Sequence, residues 1–155
     1  MDIPASKKPT LRAVLLEDIL TPGDTPSLMD MKFVDVFEVA ATGTDLAEQL
    51  KEISNAITGR VESLRPDIVV VRRADRSPRP SNMDGPRFRL MFEGAITAGA
   101  RSLNPYTTIR TGKECGMAYG KSKAEMDSDA ESLAPKKPLV SAVAAAMCGL
   151  VADRH

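Results

Sequence analysis

Histidine, cysteine and tryptophan are the scarce residues of this 155-residue chain, which has one His, two Cys and no Trp. The single histidine is His155, the last residue, so catalysis built on a histidine base is nearly excluded. Cys115 and Cys148 are too few and too isolated for a zinc site or a disulfide framework, and two reduced thiols fit a cytoplasmic protein. Neither sign of charge is in excess: 21 Lys and Arg balance 21 Asp and Glu. No global field draws in nucleic acid, and any basic surface must be local. Long apolar runs are also missing. The longest, residues 139–152, is too short to span a bilayer and reads as a buried core helix, so no membrane association is expected. Glu17 and Asp18 interrupt the only apolar run near the start, which argues against a signal peptide.

What is present is ordinary for a globular fold: 43% hydrophobic and 27% charged residues. The length suits one domain that buries its own core. Residues 1–10, polar with Pro4 and Pro9, read as a flexible tail, and residues 11–155 as a single α/β domain. The chain is organised around residues 66–73, Pro-Asp-Ile-Val-Val-Val-Arg-Arg, a β-branched run typical of a strand buried on both faces. Residues 11–20 predict a first strand. Residues 32–41 alternate with a period of two, placing Phe33, Asp35, Phe37 and Val39 on one side of a second strand. Leu46, Leu50, Ile53, Ile57, Val61 and Leu64 recur at steps of three and four and define one face of a helix, with Thr44 as its N-cap. Residues 86–101 predict another helix, and its Gly94, Ala95, Ala98, Gly99 and Ala100 make it slim enough for the sheet or a second copy to pack closely. Residues 106–111 predict a last strand. The glycine-rich stretch 111–121 reads as a flexible loop. Ser122 and Glu125 have the form of a capping box for a short polar helix, and a final apolar helix follows Pro138. No internal repeat is visible.

Three constellations bear on chemistry. Gly116-Met117-Ala118-Tyr119-Gly120-Lys121-Ser122 invites comparison with a phosphate-binding P-loop, but has three residues between its glycines where that loop needs four. Arg65, Arg72, Arg73, Arg76, Arg79, Arg87 and Arg89 gather around the connection after the central strand. Arginine's planar fork suits phosphate and carboxylate, while the bland alternative pairs these arginines with Asp67, Asp75 and Asp84 at the surface, where such pairs stabilise little. The interleaved prolines and the lack of aromatics argue against a stacking platform for single strands. Glu17, Asp18, Asp75, Asp84, Glu93, Asp127 and Asp129 are the acids available to hold magnesium. Glu17 and Asp18 point to opposite faces of a strand, so at most one serves a given site.

From Thr44 onward the order of elements resembles the RuvC-like branch of the ribonuclease H-like superfamily, the Holliday-junction resolvases. The likeness rests on the helix 45–64 passing into Arg65-Pro66-Asp67-Ile68-Val69-Val70-Val71, on the helix 88–101, and on the closing segments 116–126 and 135–150. It covers roughly two thirds of the chain. The resemblance implies a mixed sheet, antiparallel at its early strands, with helices on both faces. It also implies acids on the first strand, at the end of the central strand and at the start of the last helix, together holding two divalent metals that activate water against a phosphodiester. At the central position this chain has Arg72 or Arg73. At the start of the last helix it has Pro138, Leu139, Val140 and Ser141. On the first strand only Glu17 or Asp18 is available.

The expectation is therefore a catalytically degenerate relative without cofactor. It would bind the backbone of DNA or RNA, or a protein partner, through Arg72, Arg73, Arg76, Arg79, Arg87 and Arg89, and the slim helix would offer a dimer contact. Two alternatives remain open. One is an active magnesium-dependent nuclease with displaced acids, and the other is a purely structural interaction domain.

Overall fold

The structure, a computed structural model, describes residues 9–18, 30–73 and 84–152. Strands β1 (Thr10–Asp18) and β2 (Met31–Ala40) form an antiparallel ladder running from Thr10↔Ala40 to Asp18↔Met31. Helix α1 (Leu46–Leu64) then leads to β3 (Val69–Arg72), and helix α2 (Asp84–Leu103) leads to β4 (Thr107–Arg110). Strands β3 and β4 pair in parallel, Val69 with Thr107 through to Arg72 with Arg110. Two short helices follow, α3 (Gly112–Tyr119) and α4 (Lys123–Leu133). A 3-10 turn, Lys137–Leu139, then opens the last helix, α5 (Val140–Ala152).

The strands form two pairs, β1 with β2 and β3 with β4, and helices cover both sides. On one side α1 and α2 close a core of Leu11, Ile53, Ile57, Val61, Phe92 and Ala100, with Phe37, Val39 and Val69 against it. On the other, α3, α4 and α5 close a second core of Leu16, Met31, Cys115, Met126, Val143, Met147 and Cys148. Helix α5 lies against both β1 and β3. Its Gly149 is the reason it can approach β3 so closely, since a Cβ there would stand 2.9 Å from Val70 Cγ2. The α/β class expected from the sequence is the observed one, with antiparallel early strands and helices on both faces, but the strands pair as two two-stranded ladders where one mixed sheet was expected.

Three local readings change. The register of β1 and β2 shifts between Leu15, opposite Asp35, and Leu16, opposite Phe33. Val34 is left over, a β-bulge that reverses the parity of the strand. Phe33 consequently joins the α5 core while Phe37 and Val39 face α1 and α2, not one common side. The N-cap of α1 is Asp45, whose carboxylate accepts from Glu48 N at 2.8 Å, one residue beyond Thr44. Most of the glycine-rich stretch 111–121 is a helix rather than a loop. Thr111 and Glu114 form a capping box that starts α3, and Gly120, at φ 78°, ends it in the left-handed conformation. With Gly116 inside that helix, no phosphate-cradling loop exists there.

The junctions are fixed by side chains. Asn104, 6% exposed, donates from Nδ2 to Pro66 O at 2.7 Å and accepts from Tyr106 N at 2.8 Å, so the end of α2 is tied to the chain entering β3. Ser122 and Glu125 form the second capping box, at the head of α4, as their spacing predicts. The slimness of α2 is answered from within the chain: at Gly99 a Cβ would stand 2.9 Å from Ile57 Cγ2 and 3.2 Å from Ser54 O, both on α1. No helix among the described residues is long and apolar enough to cross a membrane.

Candidate functional site: the arginine rim of the parallel strands

Arg72 closes β3 and Arg110 closes β4, and the two are partners in the ladder. Arg73 continues past β3 and donates its backbone N–H to Arg110 O at 2.9 Å. The carboxyl ends of these strands, the edge where α/β sheets place ligands, therefore carry guanidinium groups. One residue beyond Arg110 the capped α3 begins, and its N-terminal end adds partial positive charge to the same rim.

Arg72 is largely enclosed, with its side chain 10% exposed. Its guanidinium lies across the first residue of α3. A Cβ on Gly112 would meet Arg72 Nη2 at 2.0 Å and Lys123 Cε at 2.7 Å. Only a residue without a side chain permits this layering. Asp127, one turn along α4 from Lys123, faces Arg72 with Oδ1 3.6 Å from Nη1. That is an ion pair, outside the distance of a good hydrogen bond.

Beneath the rim, Cys115 of α3 and Cys148 of α5 are both fully buried. The Cys115 thiol is pulled below its ordinary range chiefly by its hydrogen bond with Cys148. Burial opposes this, and the Arg72 and Arg110 charges add to it. The two strand-end guanidiniums favour the charged form of this buried thiol, and the Glu114 carboxylate opposes them.

The predicted site residues do not all gather here. Arg76 and Arg79 lie outside the described residues. Arg87 and Arg89 are exposed on the first turns of α2. Arg89 is paired within that helix to Glu93 at 3.0 Å. Arg110 and Lys123, and Asp127 as a partner of Arg72, were missed. Arg110 had a signal, because it ends its strand as Arg72 does. Lys123 and Asp127 had none, since their approach to Arg72 depends on how α4 folds back over α3.

The acids considered for magnesium are dispersed. Asp75 and the Asp84 side chain lie outside the described residues. Glu93, Asp127 and Asp129 pair with Arg89, Arg72 and Lys121. Glu17 is exposed at the end of β1, where it pairs in register with Lys32, and Asp18 with Met31. Among the described residues no group of three or more His, Cys, Asp or Glu stands together to hold a metal ion.

No family model matches this chain, and no curated protein matches it by sequence. Solved structures do. The RuvC structure of Thermus thermophilus superposes with a TM-score of 0.68, covering 90% of this chain and 86% of that one at 14% identity. At such identity the likeness establishes a RuvC-like fold and leaves the chemistry to be argued from the residues.

Proposed function

We propose that this chain is a RuvC-like domain that grips nucleic acid by its phosphates along the rim of β3 and β4 and does not cut it. The observation that carries this reading is Arg72, nine-tenths buried at the strand end where the resemblance calls for a metal-holding carboxylate. A guanidinium has five donors and no lone pair for a cation, and its charge repels one. The start of α5 brings Val140 and Ser141 where a further acid would be needed. This donor set does not fit a two-metal centre, so no hydrolytic step is derived from it. It fits phosphate oxygens, which arginine meets with its planar fork.

Arg72 and Arg73 supply the contacts at the strand ends, and Arg87 and Arg89 extend them along the start of α2. Arg76 and Arg79 belong to the connection between β3 and α2. Contacts of this kind read the backbone and tolerate many sequences. They serve DNA and RNA alike. The outer face of α2, with exposed Leu90 and Met91 beside Gly94 and Ala98, is the surface on which a second copy would pack. Sedimentation at increasing concentration tests that assembly.

The deciding experiment is fluorescence anisotropy with a short duplex, a four-way junction and a single strand over a range of salt. Affinity is expected to fall steeply with salt, and Arg72→Ala with Arg73→Ala to reduce the log–log slope by about two, near 0.9 for each phosphate no longer neutralised. Binding that ignores salt and the double variant would defeat the proposal. Cleavage of the junction with magnesium or manganese, abolished in Asp18→Asn or Glu17→Gln, would instead establish a displaced-acid nuclease. A stable complex with a protein and no retention on any nucleic acid would make the chain an interaction domain.

A further inference from the structure

The only two cysteines of the chain meet in its interior. Cys115 lies on α3 and Cys148 on α5, and both pack in one core with Leu16, Met126, Val143 and Met147. Both are fully buried, both stand as thiols and not as a disulfide, and a side-chain hydrogen bond joins them. Packing alone asks only for a small apolar residue at each place, and buried cysteine often serves as one. It does not ask for two sulfurs in contact. Such a contact is what a disulfide is made from, and bond formation contracts it to about 2.05 Å. The surroundings also prepare one partner for attack. The hydrogen bond with Cys148 is the chief influence favouring the Cys115 thiolate. Burial opposes it, the Arg72 and Arg110 charges reinforce it, and the Glu114 carboxylate works against them. The thiolate is the form that oxidants attack.

We propose that Cys115 and Cys148 are an oxidisable pair, which hydrogen peroxide converts into an intramolecular disulfide clasping α3 to α5. The proposal does not rest on the reading of the rim as a nucleic-acid grip. The Cys115 sulfur attacks one peroxide oxygen, the O–O bond breaks, and the departing hydroxide takes a proton to leave as water. Cys115 is then a sulfenic acid. The Cys148 sulfur attacks the Cys115 sulfur, the S–O bond breaks, and a second water leaves with the Cys148 proton. Across both steps two thiols lose two electrons and two protons, and one peroxide becomes two waters. Burial keeps bulky reagents out, while peroxide is small enough to enter as the fold opens locally. A dithiol reductant reverses the bond by exchange. The clasp acts on a defined place: Cys115 N donates to Thr111 O at 2.9 Å in the first turn of α3. That turn carries Gly112 beneath Arg72, and the disulfide ties it to a helix packed on β1 and β3.

The test treats the reduced full chain with hydrogen peroxide in native buffer, then denatures it, alkylates the remaining thiols and measures its mass. The expected product has lost two hydrogens and takes up no alkyl group, and its peptide map joins Cys115 to Cys148. Dithiothreitol restores both thiols. The melting temperature of the oxidised protein is expected to rise by about 5–15 °C, the scale of one crosslink in a domain of this size. Met117, 70% exposed, reports independently that the peroxide has acted. Sulfoxide at Met117 with both cysteines still alkylated overturns the proposal. So does oxidation of either cysteine to a sulfinic acid, or a disulfide between two molecules. A Cys115–Cys148 bond that leaves the melting temperature unchanged or lowers it overturns the clasp. In Cys148→Ala the sulfenic acid at Cys115 should be trapped by dimedone with no thermal gain, and a gain there would count against the pair. Should that variant fail to fold, the peptide map of the unsubstituted protein decides. Each of these results leaves the nucleic-acid reading standing.

Discussion

Alanine at Gly94 and alanine at Gly99 place the same methyl group on opposite sides of α2, and their stabilities should part company. At Gly94 a Cβ meets nothing within 4 Å. The substitution there recovers only the helix propensity that glycine forfeits, about 1 kcal/mol, or roughly 2–4 °C in a domain of this size. At Gly99 the same gain is offset by crowding against α1. The methyl would stand 2.9 Å from Ile57 Cγ2, 3.1 Å from Thr58 Oγ1 and 3.2 Å from Ser54 O, against an ordinary separation of about 3.5–4.0 Å. Ile57 is buried and β-branched, and Ser54 O is backbone, so neither yields by swinging aside. Overpacking of this kind costs about 1–3 kcal/mol, which leaves Gly99→Ala between neutral and about 2 kcal/mol destabilised. The assay is urea unfolding followed by far-UV circular dichroism, because the chain has no tryptophan to report. A Gly99→Ala protein as stable as Gly94→Ala would refute the close crossing of α1 and α2.

Other consequences are smaller in scope. Thr111→Ala and Ser122→Ala each remove an N-cap and should lower stability by about 1 kcal/mol in the same urea titration. Thr111→Ala should also weaken duplex binding, because it loosens the start of α3 on which Arg72 lies. The carboxyl of Glu38 is held below its ordinary value mainly by its hydrogen bond with Lys136. Its contribution to stability is complete above the normal carboxylate range and disappears as the pH falls through the depressed value. Lys136→Met should therefore flatten the acid limb of a Tm–pH profile, and an unaltered limb would show that the pair is idle. Cys115 and Cys148 are fully buried, so a bulky thiol reagent should label them only at the rate of opening, and fast labelling of native protein would contradict their burial.

Much of the fold was legible because it rests on short-range pattern. The apolar face of α1 repeats at the helical period, and the structure buries Ile53, Ile57 and Val61 from that face. The run 68–71 that enters β3 is apolar throughout, and helices α2 and α5 pack against the strand. Ser122 and Glu125 announce a cap through chemistry confined to four residues. The failures came where one signal has two physical meanings. Glycine weakens a helix, so residues 111–121 read as a loop. Yet Gly112 and Gly116 are glycine because Arg72 and the backbone of residues 121–123 come too close for a side chain. Strict alternation put Phe33 with Phe37, and one bulged residue sent them to different cores. The rim was half visible: arginines at a strand end can be read directly, but the lysine and aspartate that reach them cannot.

By itself the sequence determined which segments are helix and strand in most of the chain, and that the end of the central strand carries arginine. Those properties follow from periodicity, capping and residue chemistry, all local along the backbone. Only the tertiary structure decided which charges meet. Arg72, Gly112, Lys123 and Asp127 are separated by up to 55 positions in the numbering, and the parallel pairing of β3 with β4 and the fold-back of α4 over α3 bring them together. Such convergence depends on the three-dimensional path of the chain, which no spacing in the sequence encodes.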